Sequence, residues 1–378
     1  MRKAFSICAV LVTTFSAAAV HAQGSVSLQG FGYPPGELST RALGTAGALG
    51  DIDPRSPINP AALGVLPATQ FYAQYDPEFR RVTSAGVTAG TTTSRLPNIG
   101  GVLPINDHFV IGFSAASLLD RTWETNRARV QVFGTDTIPF SERLKSNGAL
   151  TDVRFALAYS PNSRVHVGVG VHTFPGSMQL TSNELFPDST QYQSITQISE
   201  VSFSGTAYSA GAVIDVLPSL TVAFSGRKGG TSKMFANDSL LTTSHIPDSY
   251  SGSIAFTGIP GTTVAIRGQH DNWSQMTALS YSGATGVDAN DVSAGVESNG
   301  PKLGGFPLLL RVGVRRRDLP FLVGTQTVQE TSFGGGIGVP IAYDRVTFDI
   351  AALHTNRTGV AGVTERAYNL SFGLQVHP

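Results

Sequence analysis

The side chains able to do chemistry are few and widely spaced. Cys8 is the only cysteine in 378 residues, so the chain can form no internal disulfide and no multi-thiolate metal site. His270-Asp271 ends a candidate strand, and His166 and His172 share one side of another, where a serine from elsewhere could meet them. A nucleophile must touch its base, and no histidine here sits at a local spacing from Ser or Glu that forces that contact. The chain is therefore read as non-enzymatic, with no cofactor. Asp51-Ile-Asp53 and Asp288-Ala-Asn-Asp291 offer oxygens of the kind calcium takes, but neither follows the twelve-residue loop pattern. They are read as solvated loop acids, which leaves no metal site. Gly334-Gly-Gly-Ile-Gly338 lacks the Lys-Ser/Thr ending of a phosphate loop and is expected to permit close backbone approach within a strand.

The elements that must carry these residues are not those of a soluble domain. Met1-Arg-Lys precedes an apolar run from Ala4 to Val20 that closes on Val20-His-Ala22, the layout of a secretory signal segment cleaved after Ala22. Cys8 lies inside it. Without Arg2 and Lys3, 24 basic residues face 26 acidic ones, a net charge of −2 that gives no reason to expect nucleic acid. Charged residues are 14% of the chain, against about 25% in ordinary soluble domains. There are 42 glycines, more than the usual ~7% would supply. Beyond the leader, no apolar run approaches the ~18 residues of a spanning helix. Few charges without spanning helices point to alternating strands that meet lipid with every second residue.

That alternation is visible. Val165, Val167, Val169 and Val171 oppose His166, Gly168, Gly170 and His172. Leu308, Leu310, Val312 and Val314 oppose Leu309, Arg311, Gly313 and Arg315. Phe109, Ile111 and Phe113 oppose Val110, Gly112 and Ser114, and Tyr368 to Val376 alternates likewise. Short turns are expected at Pro104–Asp107, Pro161–Ser163, Leu217–Ser219, Ile259–Gly261 and Pro340–Asp344, with a looser one at Asn299–Lys302. Longer polar connections are expected at Leu119–Ala149, Thr173–Thr196, Arg227–Asp248, Asp271–Asp291 and Arg315–Glu330. Alternating short and long connections belong to an outer-membrane barrel, with brief periplasmic turns and long external loops; counting strands from Thr69 to Val376 gives about fourteen. A soluble β-sandwich is the competing fold, since alternation alone describes its half-buried strands too. In the barrel, Asp120-Arg-Thr-Trp-Glu124 would place Trp123 in an interfacial girdle. Arg315-Arg-Arg317 would lie near the outer rim, facing lipid A phosphates or solvent. On the β-strand Val165–Val171, Val167→Arg should harm assembly while Gly168→Ser should be tolerated.

Ahead of the first strand stand Arg41-Ala-Leu-Gly-Thr-Ala-Gly-Ala48, Asp51-Ile-Asp53 and Pro57-Ile-Asn-Pro-Ala-Ala-Leu-Gly64. By itself this reads as a helix followed by an Asn-Pro turn. The segment resembles the N-terminal signature of FadL-type outer-membrane transporters and their relatives, including the PorV-like proteins of type IX secretion. The resemblance implies an all-β fold: a transmembrane antiparallel barrel plugged by a small N-terminal hatch. It divides the chain into a signal segment (1–22), a hatch (23–67) and a barrel (68–378), placed in the bacterial outer membrane. Arg41, Gly44, Gly47, Asn59, Pro60 and Ala61 would belong to the hatch, and His166, His172, Arg311 and Arg315 would line the lumen. The implied function is passage of hydrophobic or small amphipathic molecules. The alternative is a PorV-like interaction protein assisting secretion or surface attachment. Expected partners are outer-membrane lipid and lipopolysaccharide, a hydrophobic ligand and the barrel assembly machinery.

Overall fold

The computed structural model describes residues 31–84, 87–133, 136–187, 191–279, 286–303, 306–323, 325–341, 345–360 and 362–378. The expected signal segment and the start of the expected hatch lie outside the described residues. The strands are β1 (Gln70–Ser84), β2 (Val87–Pro104), β3 (Phe109–Asp120), β4 (Trp123–Phe133), β5 (Asp136–Asn162) and β6 (Val165–Thr173). Next come β7 (Gly176–Leu185), β8 (Ile195–Leu217), β9 (Leu220–Ala236), β10 (Ser239–His245), β11 (Ser249–Ile259) and β12 (Thr262–Asp271). The last are β13 (Ala289–Leu303), β14 (Phe306–Val323), β15 (Gln326–Ile341), β16 (Val346–Val360) and β17 (Val363–Val376). All neighbours are antiparallel, and β1 pairs with β17 from Phe71↔Val376 to Ser84↔Val363, so the sheet closes on itself.

The closed wall has 14 strands because three of them are interrupted. β3 and β4 both pair along β5 and are parted at Arg121-Thr122. β6 and β7 run along β8 and are parted at Phe174-Pro175, and β10 and β11 run along β9 and are parted at Ile246-Pro-Asp248. Pro175 and Pro247 have no N–H to give the ladder, which accounts for two of the breaks. At the third, the inward face passes from Leu118 and Asp120 to Arg121 and Trp123, a one-residue slip. Trp123 is consequently buried inside, not displayed in a lipid-facing girdle.

The outward residues are the apolar half of each alternation. Phe113, Phe155, Val169, Tyr208, Val312, Phe333 and Tyr368 are exposed, as are many like them around the wall. Such a belt is untenable in water but is the lipid contact of a membrane barrel, which excludes the sandwich. No helix of the described residues is long and apolar enough to cross a membrane; the strands do so.

The connections differ from expectation at one end. Four of the five long polar stretches are largely strand, with β4/β5, β7/β8, β9/β10 and β14/β15 carrying the wall past the membrane. Hydrogen bonding needs only the next strand, so polar composition ended the lipid contact without ending the ladder. At Asn237-Asp238 both residues are left-handed (φ 48° and 62°), which makes a tight hairpin turn. Asp271–Asp291 holds two short 3-10 turns within Trp273–Leu279, separated by a kink at Met276. At the other end the short turns at Pro104–Asp107, Pro161–Ser163, Leu217–Ser219 and Ile259–Gly261 fall as expected, most of the one at Pro340–Asp344 lies outside the described residues, and Asn299–Lys302 is no turn. Strand β13 runs on to Leu303, and Gly300-Pro301 is absorbed as a bulge between the pairs Asn299↔Leu309 and Lys302↔Pro307.

Candidate functional site

Inside the wall lies the segment 31–69, which carries helix α1 (Thr40–Gly44) and a 3-10 helix, Pro60–Gly64. Each short helix is capped at its start. The Ser39 hydroxyl accepts from the Ala42 amide (3.0 Å), and the Asn59 side-chain Oδ1 accepts from the Ala61 amide (3.0 Å). Asn59 Nδ2 also donates to the Asp51 carbonyl (3.0 Å), tying the two halves of the hatch together. Pro60 occupies the first helical position, where no N–H is needed. After α1 the chain reverses through Ala46 (φ 53°) and Gly47 (φ 103°), the second a conformation that glycine takes at little cost.

The seat for this segment is built from glycines on the inner face of the wall. A Cβ on Gly168 would lie 2.5 Å from the Ala61 amide nitrogen and the Pro60 carbonyl carbon. One on Gly295 would lie 2.6 Å from the Thr45 carbonyl oxygen, and one on Gly336 2.9 Å from the Gly44 Cα. These are backbone atoms that cannot swing aside, so the inner face is contoured to the hatch. The open-lumen reading of position 168 is therefore corrected: Gly168 faces the backbone of Pro60 and Ala61, so a side chain there presses on the hatch. The run Gly334–Gly338 lies in β15, where Gly334 and Gly336 receive Leu43 and Gly44.

Charge holds the hatch where glycine lets it approach. Arg41 donates to Glu297 through Nε (2.9 Å) and Nη2 (2.6 Å), and Arg311 Nε donates to the same carboxylate (2.6 Å). Arg55 bridges Asp53 (3.0 Å) and Asp349 (2.8 Å), and Arg311 reaches Asp349 from the other side. Asp51 accepts from Arg267 (3.1 Å) and Ser251 (2.6 Å). Asp51 and Asp53 are thus fully buried ion-pair partners, not the solvated acids of the sequence reading. Burial works against the Asp53 charge, but Arg55, Arg41 and the Ser39 hydroxyl outweigh it and hold the carboxyl below its ordinary range. In the second acidic group, Asp291 is likewise buried and bound to Arg315, while Asp288 accepts from the Ser274 amide.

Farther out, Tyr33 is enclosed by arginines. The guanidinium carbons of Arg357, Arg317, Arg95 and Arg80 lie 4.8, 5.0, 5.1 and 5.3 Å from its ring centroid. Glu78, Glu330 and Glu365 balance them, with Arg357 bridging all three. Arg315 and Arg317 therefore point inward, and only Arg316 faces out, donating to Gln329. The strand's period of two forbids three successive guanidiniums at the rim, which corrects the lipid A reading for two of them. Above this layer Phe31 packs on Trp273 and Phe321 in an apolar cluster closed by the extended hairpins. Burial pushes the Glu37 carboxyl up to about 7, with Arg227 opposing and Asp152 adding to the rise.

The histidines separate into two environments. His166 Nδ1 meets Ser160 Oγ (2.7 Å) beneath Gly64. His172 is buried with Nε2 at 2.8 Å from Ser209 Oγ and Nδ1 at 2.8 Å from Asp152, the connectivity of a nucleophile, base and orienting acid. The wall packs closely here, since a Cβ on Gly170 would lie 2.5 Å from Ser209 Oγ, and Arg227 also donates to Asp152 (2.9 Å). His270 is exposed and bonded to Asn290. The inward acids Glu78, Glu297, Glu330 and Asp349 were not among the residues expected in the lumen. For Glu78 and Asp349 the signal was present, since each stands next to an exposed apolar residue, Phe79 and Ile350, on the opposite face.

The wall is not paired everywhere. β2 pairs with β3 only from Asn98↔Ala116 to Pro104↔Val110, whereas β1 continues along β2 to Ser84↔Val87. The outer part of β2 and the strand formed by β3 and β4 diverge there. Between them opens a cleft of about 600 Å³ lined by Arg80, Thr91, Ser94, Asp120, Trp123 and Lys145, among others. Two voids inside the barrel are far smaller, about 40 and 20 Å³.

A family model described as BamG matches residues 1–225, more than half of the chain. No curated protein sequence matches the chain. Among solved structures, a Pseudomonas aeruginosa FadL homologue superposes with a TM-score of 0.62 at 14% identity, covering 92% of this chain and 99% of that one. The CymD monoaromatic hydrocarbon channel gives 0.57 at 13%, covering 90% and 97%. The Ralstonia pickettii toluene transporter TbuX gives 0.57 at 16%, covering 92% and 98%. At such identities the likeness is one of fold.

Proposed function

The chain belongs to the BamG family, and from that premise we propose that this outer-membrane barrel passes hydrophobic or small amphipathic molecules across the outer membrane. The observation that carries the proposal is the unpaired stretch between β2 and β3/β4. A lumen filled by a hatch offers no straight path, but a gap in the wall beside the Arg80 and Asp120 layer offers a side exit. Its lining mixes Trp123 and Leu96 with Thr, Ser and charged groups, which suits a solute with one polar end. Proteins of the same fold carry names that describe hydrocarbon passage, which supports the reading. His166, His172, Arg311 and Arg315 are engaged with wall and hatch groups, so on this reading they set the closed state. The exposed belt would be covered by outer-membrane lipid and lipopolysaccharide, with the barrel assembly machinery inserting it.

A second reading, an interaction protein serving secretion or surface attachment, is favoured by the dense ion pairing of the lumen, which reads as a filled scaffold. One experiment separates them. Cells with and without the protein are given a fluorescent hydrophobic tracer, alongside a variant with Asn59→Ala and Pro60→Ala that loses the 3-10 cap. Passage predicts faster uptake with the protein than without it, and a changed rate in the variant at equal barrel assembly. Equal uptake in all three strains, with another outer-membrane protein co-isolating, would move the second reading to first place.

A further inference from the structure

The inward arginines of the described residues are almost all matched. Apart from Arg154, each buried arginine contacts a carboxylate or, for Arg121, donates to the Phe31 carbonyl. Arg154 on β5 has no carboxylate within ion-pair distance among the described residues, and its Nε and Nη1 have no acceptor there, although the residue is 2% exposed. Asp152 and Glu37 supply only longer-range attraction. A guanidinium taken out of water without an acceptor is costly.

Arg154 lines the void of about 20 Å³ between the hatch residues Pro54, Arg55, Pro57 and Leu63 and the wall strands β1, β2, β3 and β5. Two more buried lining groups have no partner among the described residues: Ser114 Oγ, directly across from Arg154 in the β3–β5 ladder, and Gln70 Nε2. Gln70 Oε1 already accepts from Gln375. Arg55, also in the lining, is engaged by Asp53 and Asp349. The unmatched groups are therefore donors: two guanidinium N–H groups, an amide N–H₂ and a hydroxyl that can turn its proton inward. No carboxylate of the described residues lines the void.

We propose that this seam between hatch and wall binds a small monovalent anion of about chloride size, held by Arg154, Ser114 and Gln70. Donors without acceptors select against cations, and the void has room for one such group but not for a bulky acid. The anion neutralises Arg154 and joins the β3–β5 wall to the Pro54–Pro57 turn, so it acts as a pin for the seated hatch. The inference stands whether or not solutes pass the barrel.

The test uses full-length protein in detergent. Crystals grown or soaked in sodium bromide should give an anomalous peak within hydrogen-bond distance of Arg154. Thermal stability should rise with bromide, chloride or formate and saturate, and should not respond to equal ionic strength of gluconate. Arg154→Gln should abolish both signals. Ser114→Ala, which leaves the charge in place and guards against a variant that fails to fold, should weaken the halide midpoint several-fold. A water-only site, with no anomalous peak and a melting curve indifferent to the anion's size, overturns the proposal. So does a halide response that survives in Arg154→Gln.

Discussion

Replacing Gly168 by serine separates the wall from the hatch. The new Cβ would stand 2.5 Å from Ala61 N and the Pro60 carbonyl carbon and 2.7 Å from the Pro60 oxygen. All three atoms belong to the 3-10 helix that lies buried from Pro60 to Gly64. Either β6 or the helix must retreat. Overpacking of this kind costs about 1–3 kcal/mol, which corresponds to roughly a 5- to 150-fold shift toward the unseated hatch, since about 1.4 kcal/mol is tenfold. The barrel itself should survive, because its ladder from Val165↔Ile214 to Thr173↔Thr206 is made of backbone bonds that the added hydroxymethyl group leaves intact. The assay is thiol labelling of Ala62→Cys, a fully buried hatch position, with heat-modifiable gel migration as the check on assembly. Labelling should quicken by that factor in the Gly168→Ser background. The neighbouring change Val167→Arg should do the reverse: assembled protein should fall, because an Arg facing the bilayer midplane costs about 2–4 kcal/mol, while labelling of whatever assembles stays as in the parent. Normal labelling in Gly168→Ser, or equal damage from both changes, would refute the assignment of the two faces.

Three further outcomes are expected. Because burial raises the Glu37 carboxyl to about 7, the folded chain holds a proton there that the released chain gives up near the ordinary carboxylate value. That stability is full at low pH and is lost as pH rises through about 7; the melting temperature of the parent should therefore fall relative to Glu37→Gln between about pH 5 and 8, and a parallel pair of curves would disprove it. Removing Arg267 leaves Asp51 buried without its ion-pair partner, so Arg267→Ala should destabilise the seated hatch by about 3–5 kcal/mol; Asp51→Asn in the same chain should recover part of it, and protease resistance of the hatch reads both. On whole cells, a cysteine at Asn237 should react with an impermeant reagent while one at Asn162 should not, since these tips lie at opposite ends of the wall; the opposite pattern would invert the topology.

Which face of each strand meets lipid follows from the order of residues alone, because a period of two leaves a side chain no other choice once the wall closes. Val167 against Gly168 and Val312 against Arg311 were legible for that reason, and so was the count of wall strands, since the proline- and asparagine-bearing turns at one end mark them off in pairs. The same period, applied to Arg315-Arg-Arg317, would have sent two guanidiniums inward. Where a strand breaks, as at Arg121-Thr122, the period loses its phase, and Trp123 went to the interior against expectation. What lies opposite an inward residue was decided only by tertiary structure. Gly168 reads the same in sequence whether it faces water or the backbone of Pro60, and Asp51 reads as a loop acid until Arg267, 216 positions away, closes on it. The His172 environment, the Tyr33 enclosure and the unmatched donors around Arg154 have the same origin. Each depends on which strands the closing barrel brings around a hatch that was itself marked only by its glycines, its arginine and Asn59-Pro60.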